Sequence, residues 1–295
     1  MIKAKFLLTV LMIFIMLPAC AGRAAAQSNT LKLPKAFETY RGTMLSSLLP
    51  YVKIKGTIAE TDLGLRASKF GGDPYFPKNR KYPLDETGHP MKLLAQINFA
   101  EMPETDEFPD SGILEFFVSI YDDVLGLDFD NPVSQKNFRV IYFPEISGDD
   151  SLLITDFSFI TEPEDSWFPV SKTVKLEFIP GLEVVSYNDY RFANYFGADS
   201  YSFFERFCTG EDTVWEFYSE TYSGAGHKMG GYAFFTQDDP RAYQNADYET
   251  LLLQIDSDES LGIMWGDVGV ANFFIRPSDL KKRDFSKVMY NWDCY

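Results

Sequence analysis

Few residues of this chain have chemistry to offer. They include two histidines, three cysteines and a scatter of carboxylates. His227 stands in Gly224-Ala225-Gly226-His227-Lys228-Met229-Gly230-Gly231, a loop whose glycines could bring backbone N–H groups close to an anion. Walker spacing is absent, because Lys228 is followed by Met229 and the preceding glycines fall wrongly. His227 and Cys208 could be drawn as base and nucleophile, yet nothing in the sequence orients them. Asp110 and Asp267 each precede a glycine by two, which suits a turn whose carboxylate accepts backbone N–H groups; as a pair they could also act as an acid/base couple. Asp122, Asp123, Asp128, Asp130 and Asn131 surround Gly126, but an EF-hand needs another rhythm, so a solvated acidic turn is expected. No His/Cys cluster suggests zinc, and no metal or cofactor is predicted.

The elements carrying these residues repeat. Gly71-Gly72, Leu93 to Asn98 and Asp110 to Val118 recur in order as Gly230-Gly231, Leu252 to Asp256 and Asp267 to Ile275. Gly72 and Gly231 lie 159 positions apart, Gln96 and Gln254 158, and Asp110 and Asp267 157. Gly112 and Gly269 follow the same offset. Such spacing predicts an internal duplication, with repeat A at about 68–120, a connecting region at about 121–225 and repeat B at about 226–295. Period two places Leu94, Gln96 and Asn98 on one strand face and Leu93, Ala95 and Ile97 on the other. Leu252, Gln254 and Asp256 match the first set, and both glutamines are expected to bond loop backbone inside the fold. Residues that break the symmetry are better candidates for a single site. His227, Gln237, Asp239, Arg241 and Trp265 therefore form the predicted ligand- or partner-binding set, while Gly72, Gln96, Asp110, Gly112, Gly231, Gln254, Asp267 and Gly269 are read as structural.

Around the repeats, apolar spacing predicts a helix from Leu33 to Leu49 covering one face of a sheet, strands over Val52–Ile58 and Leu63–Ala67, and further strands over 138–143, 152–159 and 174–178. Pro180-Gly181 reads as a turn. An aromatic helical segment is expected at 189–208, broken near Gly197, and Pro277 opens a final helix that Leu280, Phe285, Val288 and Met289 can dock. The fold class is thus α+β: a single compact domain of two pseudo-repeated β-rich halves, with an N-terminal and a C-terminal helix packed on the sheets.

Lys3 and Lys5, the apolar run from Phe6 to Leu17 and the small residues through Ala26 read as a signal peptide over 1–26. Three processing routes remain open: cleavage before Gly22, cleavage before Gln27, or lipidation at Cys20, for which Pro18 is an awkward neighbour. An exported protein, periplasmic or secreted, is expected, touching a membrane only if Cys20 carries lipid. Loss of Lys3, Lys5 and Arg23 takes the formal charge from -16 to -19. Such acidity disfavours nucleic acid and anionic lipid and favours a basic partner or a cationic ligand. Cys208 and Cys294 could pair after export, but two cysteines are no framework.

The phrases Ser68-Lys69-Phe70-Gly71-Gly72-Asp73-Pro74-Tyr75, Leu94-Ala95-Gln96-Ile97-Asn98-Phe99, Phe108-Pro109-Asp110-Ser111-Gly112, Gly230-Gly231-Tyr232, Gln237-Asp238-Asp239-Pro240-Arg241 and Tyr290-Asn291-Trp292-Asp293-Cys294 together resemble the YwqG-like family. The resemblance covers roughly residues 33–295 within a domain placed at 27–295. It implies an α+β fold with duplicated halves and brings no established reaction. It also implies that Cys294, part of the shared ending, was not placed for a disulfide. The expected function is an exported, non-enzymatic binding or interaction protein whose ligand or partner is unknown. Two alternatives stay open: a hydrolase using Asp239 and Asp267 in a cleft between the halves, and an immunity-like protein that neutralises a basic toxin.

Overall fold

Alternating polar and apolar residues around Lys53 and Lys175 leave two long strands with one wet face each, and these become the centre of the fold. A computed structural model describes residues 31–164, 166–207 and 213–295. Residues 1–26, read from the sequence as a signal peptide, together with Cys20 and Cys208, lie outside the described residues. Strands β1 (Leu49–Ile58) and β6 (Val174–Glu183) pair antiparallel along their whole length, from Leu49 opposite Glu183 to Ile58 opposite Val174. Beside β6 lie β2 (Lys69–Phe70), β3 (Lys92–Asn98), β4 (Ile113–Val118) and β5 (Phe138–Phe143). Beside β1 lie β7 (Lys228–Gly230), β8 (Thr250–Asp256), β9 (Val270–Ile275) and β10 (Met289–Asp293). The ten described strands form one antiparallel sheet in the order β10-β9-β8-β7-β1-β6-β2-β3-β4-β5.

The sheet curls until its ends approach. Phe116 on β4 lies 4.8 Å from Phe273 on β9 by ring centroids, and Phe138 lies 5.1 Å from Tyr290. The loop after β4 closes the seam: Tyr290 N donates to Pro132 O, and Trp292 Nε1 donates to Val124 O at 2.7 Å. Inside the curl sits the main core, drawn from both ends of the sheet, with Leu94, Ile97, Phe116, Leu253, Phe273 and Trp265 among its members. Few helices accompany the sheet. They are α1 (Arg41–Ser46), α2 (Phe192–Phe196), α3 (Ser200–Phe204), α4 (Thr213–Thr221) and α5 (Pro277–Lys281).

Several local expectations need correction. The N-terminal helix is a 3₁₀ segment, Lys35–Tyr40, running into α1, and it buries Phe37 against Phe196, Phe203, Phe204, Phe207 and Tyr218 rather than against the sheet core. Aromatic rings packed in edge-on, tilted and stacked pairs make that a second core of its own. Leu63–Ala67 and 152–159 are not strands. Pro180-Gly181 is no turn, because β6 carries straight through both residues, Gly181 lying opposite Tyr51. The C-terminal helix is only α5; Leu280, Phe285 and Val288 do dock on the main core, and Met289 begins β10.

Strict alternation in β3 also fails. A bulge between Leu93 and Ala95 turns Leu94 to the side of Ala95 and Ile97, and Leu93 joins a different cluster with Tyr75 and Phe117. The same shift occurs between Leu251 and Leu253, so Leu252 faces the main core with Leu253 and Ile255.

Candidate functional site

The wet face of the central strands carries the site. On β1 the buried Val52 and Ile54 alternate with Tyr51, Lys53 and Lys55 on the outer side. In β7, Met229 enters the core and Lys228 points outward. Register sets Lys53 directly opposite Lys228. Lys228 is nevertheless 2% exposed, a position an ammonium holds only with a partner. Glu183, at the end of β6, supplies it: Lys228 Nζ donates to its two oxygens at 2.8 and 3.0 Å, and Tyr232 N donates to the first at 2.6 Å. Only glycine fits beside that carboxylate. A Cβ on Gly231 would stand 1.9 Å from Glu183 Oε1, and the residue adopts φ +70°.

The glycine-rich loop forms an adjoining wall and is tied down from β8. Gln254 Nε2 donates to Gly224 O and Gly226 O at 2.9 and 2.7 Å, while its Oε1 accepts from Phe234 N. Gly226 N donates to Asp256 Oδ2, and Asp256 N donates to His227 Nδ1 at 3.0 Å. An accepting Nδ1 places the proton of neutral His227 on Nε2. Burial lowers the His227 pKa to about 4, opposed by the Asp258 charge. Burial likewise raises the Asp256 carboxyl, against its bonds from Gly226 and Ser257. Tyr51 lies 5.7 Å from Lys228 Nζ by ring centroid, its hydroxyl pKa raised by burial and by Glu183.

Together these groups surround a cleft of about 570 Å³. Tyr51, Lys53, Glu183 and Lys228 line it from the sheet, Gly224 to His227 from the loop, and Leu31, Lys32 and Leu48 from the N-terminal segment. A second hollow of about 630 Å³ opens where the chain leaves β1 and before it enters β6, beside β2. There Lys69, also 2% exposed, lies opposite Lys175 and donates from Nζ to Gly64 O at 2.8 Å. Burial lowers the Lys69 pKa, opposed by Glu115 and Asp62 among nearby acids.

Of the five residues singled out for breaking the repeat, only His227 reaches the cleft. Arg241 and Asp239 belong to a buried ionic cluster. Arg241 Nη2 donates to Asp189 Oδ2 at 3.0 Å and to Asp239 Oδ2 at 2.7 Å, and Arg191 holds Asp189 from the other side at 2.8 Å. Tyr190 N also donates to Asp239, so the cluster ties the 189–191 turn to the 239–241 turn. Trp265 is fully buried in the main core, its indole N–H without an acceptor among the described residues. Gln237 is exposed and donates to Cys294 O at 2.8 Å.

The repeated residues serve the backbone. Gln96 accepts from Tyr75 N and donates to Leu65 O and Ala67 O, as Gln254 does in the other half. Gly72 would bring a Cβ within 2.8 Å of Thr173 Oγ1. Gly112 has φ +91°, whereas Gly269 is needed for close approach, since a Cβ there would lie 2.0 Å from Asp293 O. Asp110 and Asp267 depart from expectation: both are exposed, and neither carboxylate accepts a hydrogen bond among the described residues. The acidic stretch is a turn in which Asp122 accepts from Val124 N and Gly126 N, and Asp128 from Asp130 N and Asn131 N. No metal-holding group of three or more His, Cys, Asp or Glu occurs among the described residues, nor does any helix long and apolar enough to cross a membrane.

Lys228, Lys53 and Glu183 escaped the sequence reading. A signal existed for the first, because Lys69-Phe70-Gly71-Gly72 and Lys228-Met229-Gly230-Gly231 share a lysine two residues before a glycine pair. Glu183 has no such mark, its role depending on the β1–β6 register. A family model described as a domain of unknown function (DUF1963) matches residues 68–294. No curated protein matches the chain.

Proposed function

Since the chain belongs to the DUF1963 family, whose description carries no activity, we propose from its own geometry that it is an exported, non-enzymatic binding protein of the YwqG-like type, and that the cleft beside Lys228 is its binding site. The observation that carries this reading is the construction of the cleft. Its volume of about 570 Å³ suits a small molecule, and its loop is held by Gln254 and Asp256 before any ligand arrives. Preorganised polar walls lower the ordering cost of binding.

The hydrolase alternative finds no favouring geometry. Asp239 gives both oxygens to Arg241, and Asp267 sits on an exposed turn outside the cleft. The two sides of the sheet are read as copies of one unit. Support comes from the strand order, the equivalent bulges and the matched bonds of Gln96 and Gln254.

The test is Ala225→Trp, which fills the cleft from an exposed loop residue and leaves the core alone. Small molecules that raise the melting temperature of the mature chain should fail to raise that of the variant. Undiminished stabilisation would remove the cleft as the site. Export is tested by fusing residues 1–30 to a reporter active only outside the cytoplasm; an inactive fusion refutes it.

A further inference from the structure

We infer that the cleft takes a small organic anion with an apolar tail, an inference that rests on reading the cleft as the binding site. Residues directly opposite on antiparallel strands carry their side chains on one face with Cβ atoms about 5 Å apart. Lys53 and Lys228 are such a pair. Two ammonium groups so placed repel unless an anion stands between or beside them. Glu183 answers for Lys228 alone, its oxygens already occupied by Lys228 Nζ and Tyr232 N. Lys53 makes no ion pair among the described residues, and its exposed side chain opens on the cleft. Lys32 joins it at the rim.

The lining thus holds three lysines, Lys32, Lys53 and Lys228, against two glutamates, Glu183 and Glu220, a net +1 in a chain of formal charge -16. The general field of so acidic a protein repels anions and gathers cations. A local reversal of sign at a ligand-sized hollow with a preorganised loop therefore acts as selection: cations gather elsewhere, and an anion finds its counter-charge here. Leu48 and Val184 line the same cleft and supply the apolar contact for a tail. A carboxylate seated on Lys53 and Lys32, with an alkyl chain along Leu48 and Val184, satisfies both kinds of surface.

Octanoate, octylammonium and 1-octanol share one tail and differ in head group, so titrating each into the mature chain by calorimetry separates charge from hydrophobicity. Octanoate is expected to bind best. Lys53→Glu should weaken it by about tenfold or more, while Lys55→Glu, on the same outer face but outside the cleft, leaves it unchanged. Octylammonium or octanol binding as tightly as octanoate, or an absence of octanoate binding, overturns the anion assignment and leaves the cleft standing. Octanoate binding that Ala225→Trp does not touch instead removes the cleft itself.

Discussion

Glu115 lies at the middle of β4 with no exposed surface, and neither of its carboxylate oxygens has a hydrogen-bond partner among the described residues. Burial raises its pKa well above 4.5, although the Lys69 charge and the Tyr75 backbone pull it back. A carboxyl raised on folding stabilises the native state while both states are protonated, and that contribution is lost as pH climbs from the unfolded value through the folded one. Between those two values the native protein holds one proton more than the unfolded chain, so stability falls by about 1.4 kcal/mol per pH unit. Glu115→Gln removes this slope. The register also tolerates an amide, because Asn272, opposite Gln254 as Glu115 is opposite Gln96, donates to Phe234 O at 2.8 Å.

His227 has the opposite sign. Its pKa, lowered from 6.5 to about 4, makes the unfolded chain the stronger proton binder, so stability rises with pH across that interval by a similar slope. From pH 4.5 to 6.5 the two contributions oppose one another in the wild type. Urea unfolding of both proteins from pH 4.5 to 7.5 isolates Glu115, since every other group cancels in the difference. The variant should gain on the wild type by about 1.4 kcal/mol per unit above pH 4.5 until the folded carboxyl ionises. A difference that stays constant with pH would mean that Glu115 is ionised against Lys69, and the reasoning would fail.

Other perturbations address the cleft. Glu183→Ala leaves the buried Lys228 ammonium without its counter-ion and should cost about 3–5 kcal/mol; adding Lys228→Met should recover most of the loss in denaturant midpoints, and an additive double variant would refute the coupling. Gly231→Ala should destabilise by more than Gly197→Ala, because both residues have positive φ (+70° and +73°) but only Gly231 has a carboxylate where the Cβ must go; equal melting temperatures would show that Glu183 moves aside freely. His227→Gln removes the group that must stay neutral, so its stability should decline less than that of the wild type as pH falls from 6.5 to 4, by about 3 kcal/mol over the interval. Parallel acid limbs in urea titrations would show that His227 is already charged in the fold.

Much of the sheet was legible because β-strands announce themselves in pairs of apolar residues two apart. The strands at 92–98, 138–143 and 250–256 fall where the sequence pattern predicts them, and β1 and β6 contain the predicted 52–58 and 174–178. The errors have physical causes. Leu94 and Leu252 changed face because a bulge inserts one residue without altering the apolar pattern. Pro180-Gly181 passed for a turn because a strand tolerates proline where no ladder N–H is required, a condition that only the pairing reveals. Leu63–Ala67 alternates like a strand yet its carbonyls go to Gln96 and Asn98, side chains thirty or so positions away, and no local pattern records that. The cleft was half visible: the glycine-rich loop and His227 belong to it, whereas Arg241, Asp239 and Trp265 stood out as unusual residues because the fold buries them.

That failure refines where a sheet with two similar sides keeps its distinctive chemistry. Rarity in the second half selected large or charged residues, and such residues are as useful for locking turns as for meeting ligands. What distinguishes the cleft is instead a difference at shared positions. Both halves place a lysine before the glycine pair, and both set it against another lysine across the neighbouring strand, Lys228 with Lys53 and Lys69 with Lys175. The same backbone demand, a partner for the N–H of Asn98 or Asp256, is met by Ser68 Oγ on one side and by His227 Nδ1 on the other. The buried lysines then diverge: Lys69 donates to the Gly64 carbonyl, while Lys228 donates to the Glu183 carboxylate. A carbonyl leaves the lysine charge uncancelled, whereas the carboxylate neutralises it and leaves Lys53 as the uncommitted cation of the pair. The frame common to both sides therefore fixes where two lysines meet, and Glu183 at the end of β6 decides which of them is paired.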